Sequence, residues 1–142
     1  MSMLRQLFGR AGKAEPKDVL LACLLLFTKH GKDEISLPEV LDSVSRLQAS
    51  VPLGYEFAKG FLYSSRLFAH ISQLEENGYL RRYEYTHDGL LPKSYITLTM
   101  LGRGRAEKSN KQLSQLTLDA ISQAVETSME QHREYWRLYP RI

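Results

Sequence analysis

The stretch RRYEYTHDGLLPKSYITLTMLGRG, residues 81–104, limits what this chain can fold into more than any other segment. Tyr83, Tyr85, Tyr95, Ile96, Thr97 and Thr99 favour extended backbone, and His87-Asp88-Gly89 has turn chemistry between them. The stretch therefore reads as a hairpin, and no other segment reads as a strand. A two-stranded hairpin alone is marginal in water, so it must be laid against a core that the rest of the chain builds from helices.

The remaining sequence can supply that core. At 142 residues the chain has the size of one domain, and its 43% apolar and 25% charged residues are ordinary for a globular protein. The single cysteine, Cys23, falls inside the apolar run VLLACLLLF, where a reduced and inert thiol is expected, which favours a cytoplasmic protein. Basic residues precede that run as in a signal peptide, but Glu15 and Asp18 interrupt them and TKHGKDE comes after it in place of a cleavage site. The run is also far shorter than the roughly 20 residues needed to cross a bilayer, so it reads as a buried helix and no membrane association is expected.

A first helix is expected from Pro16 to His30, stopped by Gly31 and apolar on nearly all faces, as the central helix of a core would be. Ser36-Leu37-Pro38-Glu39 matches a capping box and opens a second helix to about Gln48, with Val40, Leu41, Val44 and Leu47 on one face. ASVPLG breaks it, and YEFAKGF, residues 55–61, reads equally as a separate helical turn or as the lead-in to the next helix. A third helix covers about 63–77, with Leu67, Ile71 and Leu74 on one stripe, Phe68 at its edge and Gly78 as the stop. Its opposite face carries Ser65, Arg66, Ala69 and Gln73, with His70 on the flank. Three helices and then strand, turn and strand is the order of a winged helix-turn-helix, in which the hairpin closes a three-helix core. The expected fold is thus mainly α with one β-hairpin, a winged core over 15–104, an arm over 1–14 and a long C-terminal helix over 105–142.

The strings LFAHISQLEENGYLRRYEY and KSYITLTMLGRGR resemble the PadR-like transcription regulators, and less closely the MarR-like ones. Leu74-Glu75-Glu76-Asn77-Gly78 matches the end of their recognition helix, and Tyr95, Leu98, Thr99, Gly102 and Arg103 match the end of their second wing strand. The resemblance spans about residues 60–106 and implies a dimeric, repressor-like regulator that binds double-stranded DNA.

Charge is placed to suit such a partner. Residues 59–111 hold nine basic residues against five acidic ones, whereas residues 21–58 hold three against five. In helix-turn-helix proteins the third helix enters the major groove, which here points to Ser64, Ser65, Arg66, Ala69, His70 and Gln73. Arg66 is the leading candidate for a base contact, since a guanidinium can bind guanine O6 and N7 together. Ser64 lies nearer the buried face, where it would cap the helix or meet a phosphate. On the wing, His87 and Lys93 stand at or near the tip. Arg81 and Arg82 point to opposite faces, so only one of them faces DNA, and Arg82 is the candidate. The glycines of Gly102-Arg103-Gly104-Arg105 read as a strand-to-helix turn.

Along the C-terminal helix, Leu118, Ile121, Val125, Met129, His132 and Trp136 form one stripe, and Leu113, Leu116, Ala120 and Ala124 form another nearly opposite. Two apolar sides call for two partners, one stripe packing on the parent domain and the other on a second copy, which predicts a homodimer through this helix, with the first stripe the candidate interface, and a pseudo-palindromic DNA site. The alternative is an intramolecular helix that closes a monomeric core. Met129, Tyr135 and Trp136 offer apolar surface for a small-molecule effector. His30, His70, His87 and His132 are dispersed, and no HExxH, CxxC or glycine-rich nucleotide motif occurs, so neither catalysis nor a metal or cofactor is expected. The competing expectation is a winged-helix module that binds an acidic protein and no DNA.

Overall fold

A computed structural model describes residues 15–57, 63–86 and 93–138, with side chains described as far as Arg133. The arm over 1–14, His87 at the hairpin turn, residues 58–62 of the ambiguous stretch and the side chains of Tyr135 and Trp136 lie outside the described residues. The described chain forms five helices and a three-stranded antiparallel sheet. In order these are α1 (Pro16–Lys29), β1 (Ile35–Ser36), α2 (Leu37–Leu47), α3 (Ser65–Glu76), β2 (Leu80–Tyr85), β3 (Lys93–Leu98), α4 (Met100–Asn110) and α5 (Gln115–Leu138).

Helix α1 is the centre of the molecule. Val19 to Leu25 and Phe27 are all buried, and α1 packs against each of the other helices and against β1 and β3. A helix enclosed on every side has no use for a polar face, which is why its sequence shows none. Burial also pushes the Cys23 thiol up to about 12, so it stays protonated and unreactive. Gly31, at φ +91°, ends the helix as expected: its amide bonds Thr28 O at 2.9 Å and the Lys32 amide bonds Phe27 O at 3.1 Å.

The capping box at α2 forms, with the Glu39 amide donating to Ser36 Oγ at 3.3 Å. The Glu39 carboxylate turns inward, 2% exposed, and accepts from the Ser36 hydroxyl at 2.9 Å and from Lys32 Nζ at 2.7 Å. A carboxylate this deep must be fully paired, and these partners fasten the end of α1 to the start of α2.

The sheet corrects the sequence in one respect. Ile35 and Ser36 form a third strand on the free edge of β3, pairing with Ile96 and Tyr95, so the order is β1-β3-β2. Two residues leave no alternating pattern to read, and the adjacent capping box signals helix instead. The hairpin itself forms as expected, with Leu80 opposite Leu98 and Tyr85 opposite Lys93. Leu80, Ile96 and Leu98 enter the core, which anchors an element that would be marginal alone.

A second correction concerns Gly102-Arg103-Gly104-Arg105, which lies inside α4 rather than in a turn. Thr99 caps that helix, its Oγ1 accepting from the Gly102 amide at 3.0 Å and donating to Gly78 O at 2.6 Å. Gly102 is required by contact, because a Cβ there would collide with the Tyr79 carbonyl. The C-terminal region is two helices: α4 starts before residue 105, and the chain breaks at Lys111–Ser114 before α5.

The third correction is to the stripe expected to face a second copy. Ile121, Val125 and Met129 are buried in the chain's own core, where α5 packs on α1 and α2. Ser128 is buried beside them and donates to Asp42 of α2 at 2.7 Å. Leu118 and His132 remain partly exposed, and Leu116 on the other stripe is 65% exposed.

The two α4 glycines should separate under substitution. Gly102→Ala forces a methyl onto backbone and is expected to lower stability in urea denaturation by about 1–3 kcal/mol. Gly104, with nothing within 4 Å of its missing Cβ, should gain roughly 0.5–1 kcal/mol on changing to Ala.

Candidate nucleic-acid interface

Helix α3 is held from one side only. Leu67, Ile71 and Leu74 are buried, and Ser65, Arg66, Ala69 and Gln73 are exposed on the opposite side, with His70 partly buried. Both ends are fixed. Ser64, 1% exposed, accepts from the Leu67 amide at 3.3 Å. At the other end Gly78, at φ +79°, donates to Glu75 O and lets the Tyr79 amide reach Leu74 O at 2.9 Å. Of the two roles expected for Ser64, cap or phosphate contact, the structure shows the cap, and the buried hydroxyl is withdrawn from the DNA-binding candidates.

The exposed face is tied to the loop before it through two side chains. Arg66 Nη1 donates to Gly54 O at 3.2 Å, and its guanidinium lies over the Tyr55 ring, 5.9 Å from the centroid. Gly54 sits at φ +75°, and a Cβ there would lie 2.7 Å from Arg66 Nη1, so glycine serves both the loop and the arginine. The Tyr55 hydroxyl lies 2.6 Å from His70 Nδ1, and the two rings meet edge to face at 5.3 Å. Tyr55 is buried, which raises its phenol pKa. Nothing in the sequence separates Tyr55 from the other seven tyrosines, so its role is not legible there.

Lys17 is the second residue that no sequence signal singles out. It belongs to α1, yet its Nζ donates to Gln73 Oε1 of α3 at 3.1 Å. Arg66, His70 and Gln73 fall at i, i+4 and i+7 on one stripe, and Lys17 joins that stripe from a neighbouring helix. The partners of Lys17 and Arg66 are an amide oxygen and a carbonyl, so their charge stays uncompensated by any carboxylate among these contacts. Ala69, between them, leaves room for close approach.

The basic residues around the hairpin behave differently. Arg82 donates to Glu75 through Nε at 3.0 Å and through its backbone amide at 3.1 Å, and reaches Ser72 Oγ at 3.4 Å. It ties β2 to α3, and its charge is paired with the Glu75 carboxylate. Arg81, on the other face of β2, is exposed opposite Thr97. Arg103 and Arg105 lie 3.6 Å from Asp33 and Asp18. Lys93 opens β3 opposite Tyr85, partly buried, and the Tyr85 hydroxyl donates to Glu34 at 2.8 Å, which raises its pKa. Part of the positive excess along residues 59–111 is therefore neutralised in the fold, whereas Arg66 on α3 and Lys17 beside it are held by neutral oxygens.

At the far end of α3, Gly78, Leu80, Arg81, Tyr83, Met100 and Leu101 border an open groove of about 530 Å³. Met100 is 89% exposed and Leu101 61%, so this end is apolar where the Arg66 end is basic. Among the described residues no cluster of three metal-ligating side chains occurs, and no helix is long and apolar enough to cross a membrane.

No protein-family model matches the chain, and comparison with curated proteins and with solved structures returns no match. The functional reading therefore rests on the geometry of α3 and its surroundings.

Burial lowers the His70 pKa below its ordinary 6.5, and the positive charges of Arg66 and Lys17 lower it further, against an opposing pull from Glu15. The unfolded chain then binds this proton more tightly than the folded one. The contribution to stability is complete above about pH 6.5 and is lost as pH falls through the lowered native value. Thermal melts between pH 7.5 and 5 should show a falling midpoint, with a shallower fall in His70→Gln.

Proposed function

We propose that this protein is a winged helix-turn-helix regulator that binds double-stranded DNA, with α3 in the major groove and the β2–β3 hairpin as the wing beside it. The observation that carries this reading is that α3 is buried on one side and, from Ser65 to Gln73, presents the other as small, polar and cationic, with Lys17 and Arg66 held by neutral oxygens rather than carboxylates. The carboxylates of α3, Glu75 and Glu76, are confined to its last turn, and Glu75 is paired with Arg82. Arg66 uses one guanidinium N–H on Gly54 O, and the remaining donors are sufficient to fork onto guanine O6 and N7. Gln73 and Ser65 would complete the base-side contacts, and Lys17 would meet the phosphates. The element order and the PadR-like strings from Leu67 to Arg105 support the same reading.

A regulator of this kind would bind as a homodimer whose α3 helices lie about 34 Å apart on a pseudo-palindrome. With Ile121, Val125 and Met129 engaged internally, the side of α5 left for a second copy is the opposite stripe, where Leu116 is exposed. The competing reading is a winged-helix protein-interaction module, and the apolar groove at Met100 and Leu101 favours it over an inert surface. A small-molecule effector finds less support than the sequence suggested, because Met129 is buried in the core.

Titration of a labelled mixed-sequence duplex at increasing salt should show affinity falling with a log–log slope of several units. Absence of binding at low salt would sink the DNA reading and favour the interaction module. Once a preferred site is selected, Arg66→Ala should cost about 1–3 kcal/mol there and much less on random DNA. Equal losses on both would reduce Arg66 to a phosphate contact.

A further inference from the structure

Among the described residues, the charged and titratable groups acting on His70 come from three elements. Arg66 lies one turn away on α3, Lys17 and Glu15 come from the start of α1, and Tyr55 comes from the loop before α3. Two of these groups are cations that oppose a charged imidazole, and Glu15 alone favours one. Tyr55 holds the ring by Nδ1 at 2.6 Å, which fixes its plane and leaves Nε2 as the nitrogen available to a partner. With Tyr55 donating to Nδ1, the neutral ring carries its hydrogen on Nε2. When the ring is protonated, Nδ1 becomes a donor and the Tyr55 oxygen accepts, so the contact survives in either state.

We propose that the exposed face of α3 takes up a proton at His70 when it binds a nucleic-acid phosphate backbone, so that its affinity rises as pH falls. This rests on the DNA-binding reading given above. Burial and the charges of Arg66 and Lys17 together disfavour a charged imidazole in the free protein, and a nucleic acid that brings its phosphates to Lys17 and its bases to Arg66 offsets the two positive fields. The phosphates also add an attractive negative field of their own. One proton from solvent then joins the ring per bound chain, and no heavy-atom bond changes. Arg66 and Lys17 thus act twice, as direct contacts and as charges that add to burial in disfavouring a charged His70 until a polyanion arrives. By linkage, a binding event that raises the affinity of His70 for a proton must itself be strengthened by protons. Histidine is the side chain suited to this at near-neutral pH.

The test measures affinity for a fluorescein-labelled duplex of mixed sequence from roughly pH 8 to pH 5.5 at fixed ionic strength, the span over which an imidazole titrates. Alongside it, the His70 imidazole is titrated by proton NMR with and without the duplex. Affinity is expected to rise about tenfold across the range, corresponding to a shift of about one pKa unit on binding. The profile of His70→Gln should be flatter, and the His70 resonance should titrate at higher pH in the complex. His70→Gln assigns that resonance by its loss. Should that variant fail to fold, Tyr55→Phe, which keeps the ring and removes the hydroxyl at Nδ1, assigns it by its displacement. Duplex binding with the same pH profile in wild type and His70→Gln, or a His70 titration unmoved by the duplex, overturns the proton linkage and leaves DNA binding standing. No duplex binding at any pH in low salt overturns both.

Discussion

The backbone of Tyr79 is the point at which this molecule is joined. Its amide closes the end of α3 on Leu74 O, and its carbonyl accepts the Thr99 amide at 3.1 Å. That same carbonyl faces Gly102, whose missing side chain lets α4 cross within contact of it. Thr99 completes the joint by bonding Gly78 O and capping α4. Four elements, α3, β2, β3 and α4, therefore meet within a few residues. The exposed face of α3 has its direction because this joint and the buried α1 leave it no other.

Electrostatics then divides the surface. Where the fold brings a carboxylate within reach, as at Arg82 with Glu75 or Arg105 with Asp18, the cation becomes a tie between elements. Exposed ion pairs of this kind contribute little to stability, so their effect is mainly to fix register and remove charge. Lys17 and Arg66 are held by neutral oxygens instead, keeping both their position and their charge. Holding a cation in place without neutralising it suits a surface that meets an anion. A pre-set side chain loses less entropy on binding than a free one.

Helix boundaries are legible because their signals are local. Gly31 and Gly78 adopt the positive φ that few other residues tolerate, Ser36 and Glu39 cap within one turn, and Leu67, Ile71 and Leu74 keep the helical period. The same locality explains the failures. Strand β1 is two residues whose partners, Ile96 and Tyr95, lie far along the chain, so no period announces it. Gly102 reads as a turn residue until the Tyr79 carbonyl is set beside it. The α5 stripe is apolar as its spacing predicts, yet a stripe does not say whose core it enters.

For the candidate site, periodicity alone is enough to tell which face of α3 is apolar and which residues, Ser65, Arg66, Ala69, His70 and Gln73, stand opposite, because a 3.6-residue repeat is a property of one segment. The basic balance around the hairpin is equally plain from the order of residues. Folding in three dimensions was needed to show which of those cations are paired with carboxylates, that Lys17 of α1 joins the stripe, and that Tyr55 holds His70 while its ring lies under Arg66. Each of those facts is a meeting of side chains distant in sequence. Coulomb energies and hydrogen bonds depend on separations of a few ångströms that no spacing along the chain prescribes.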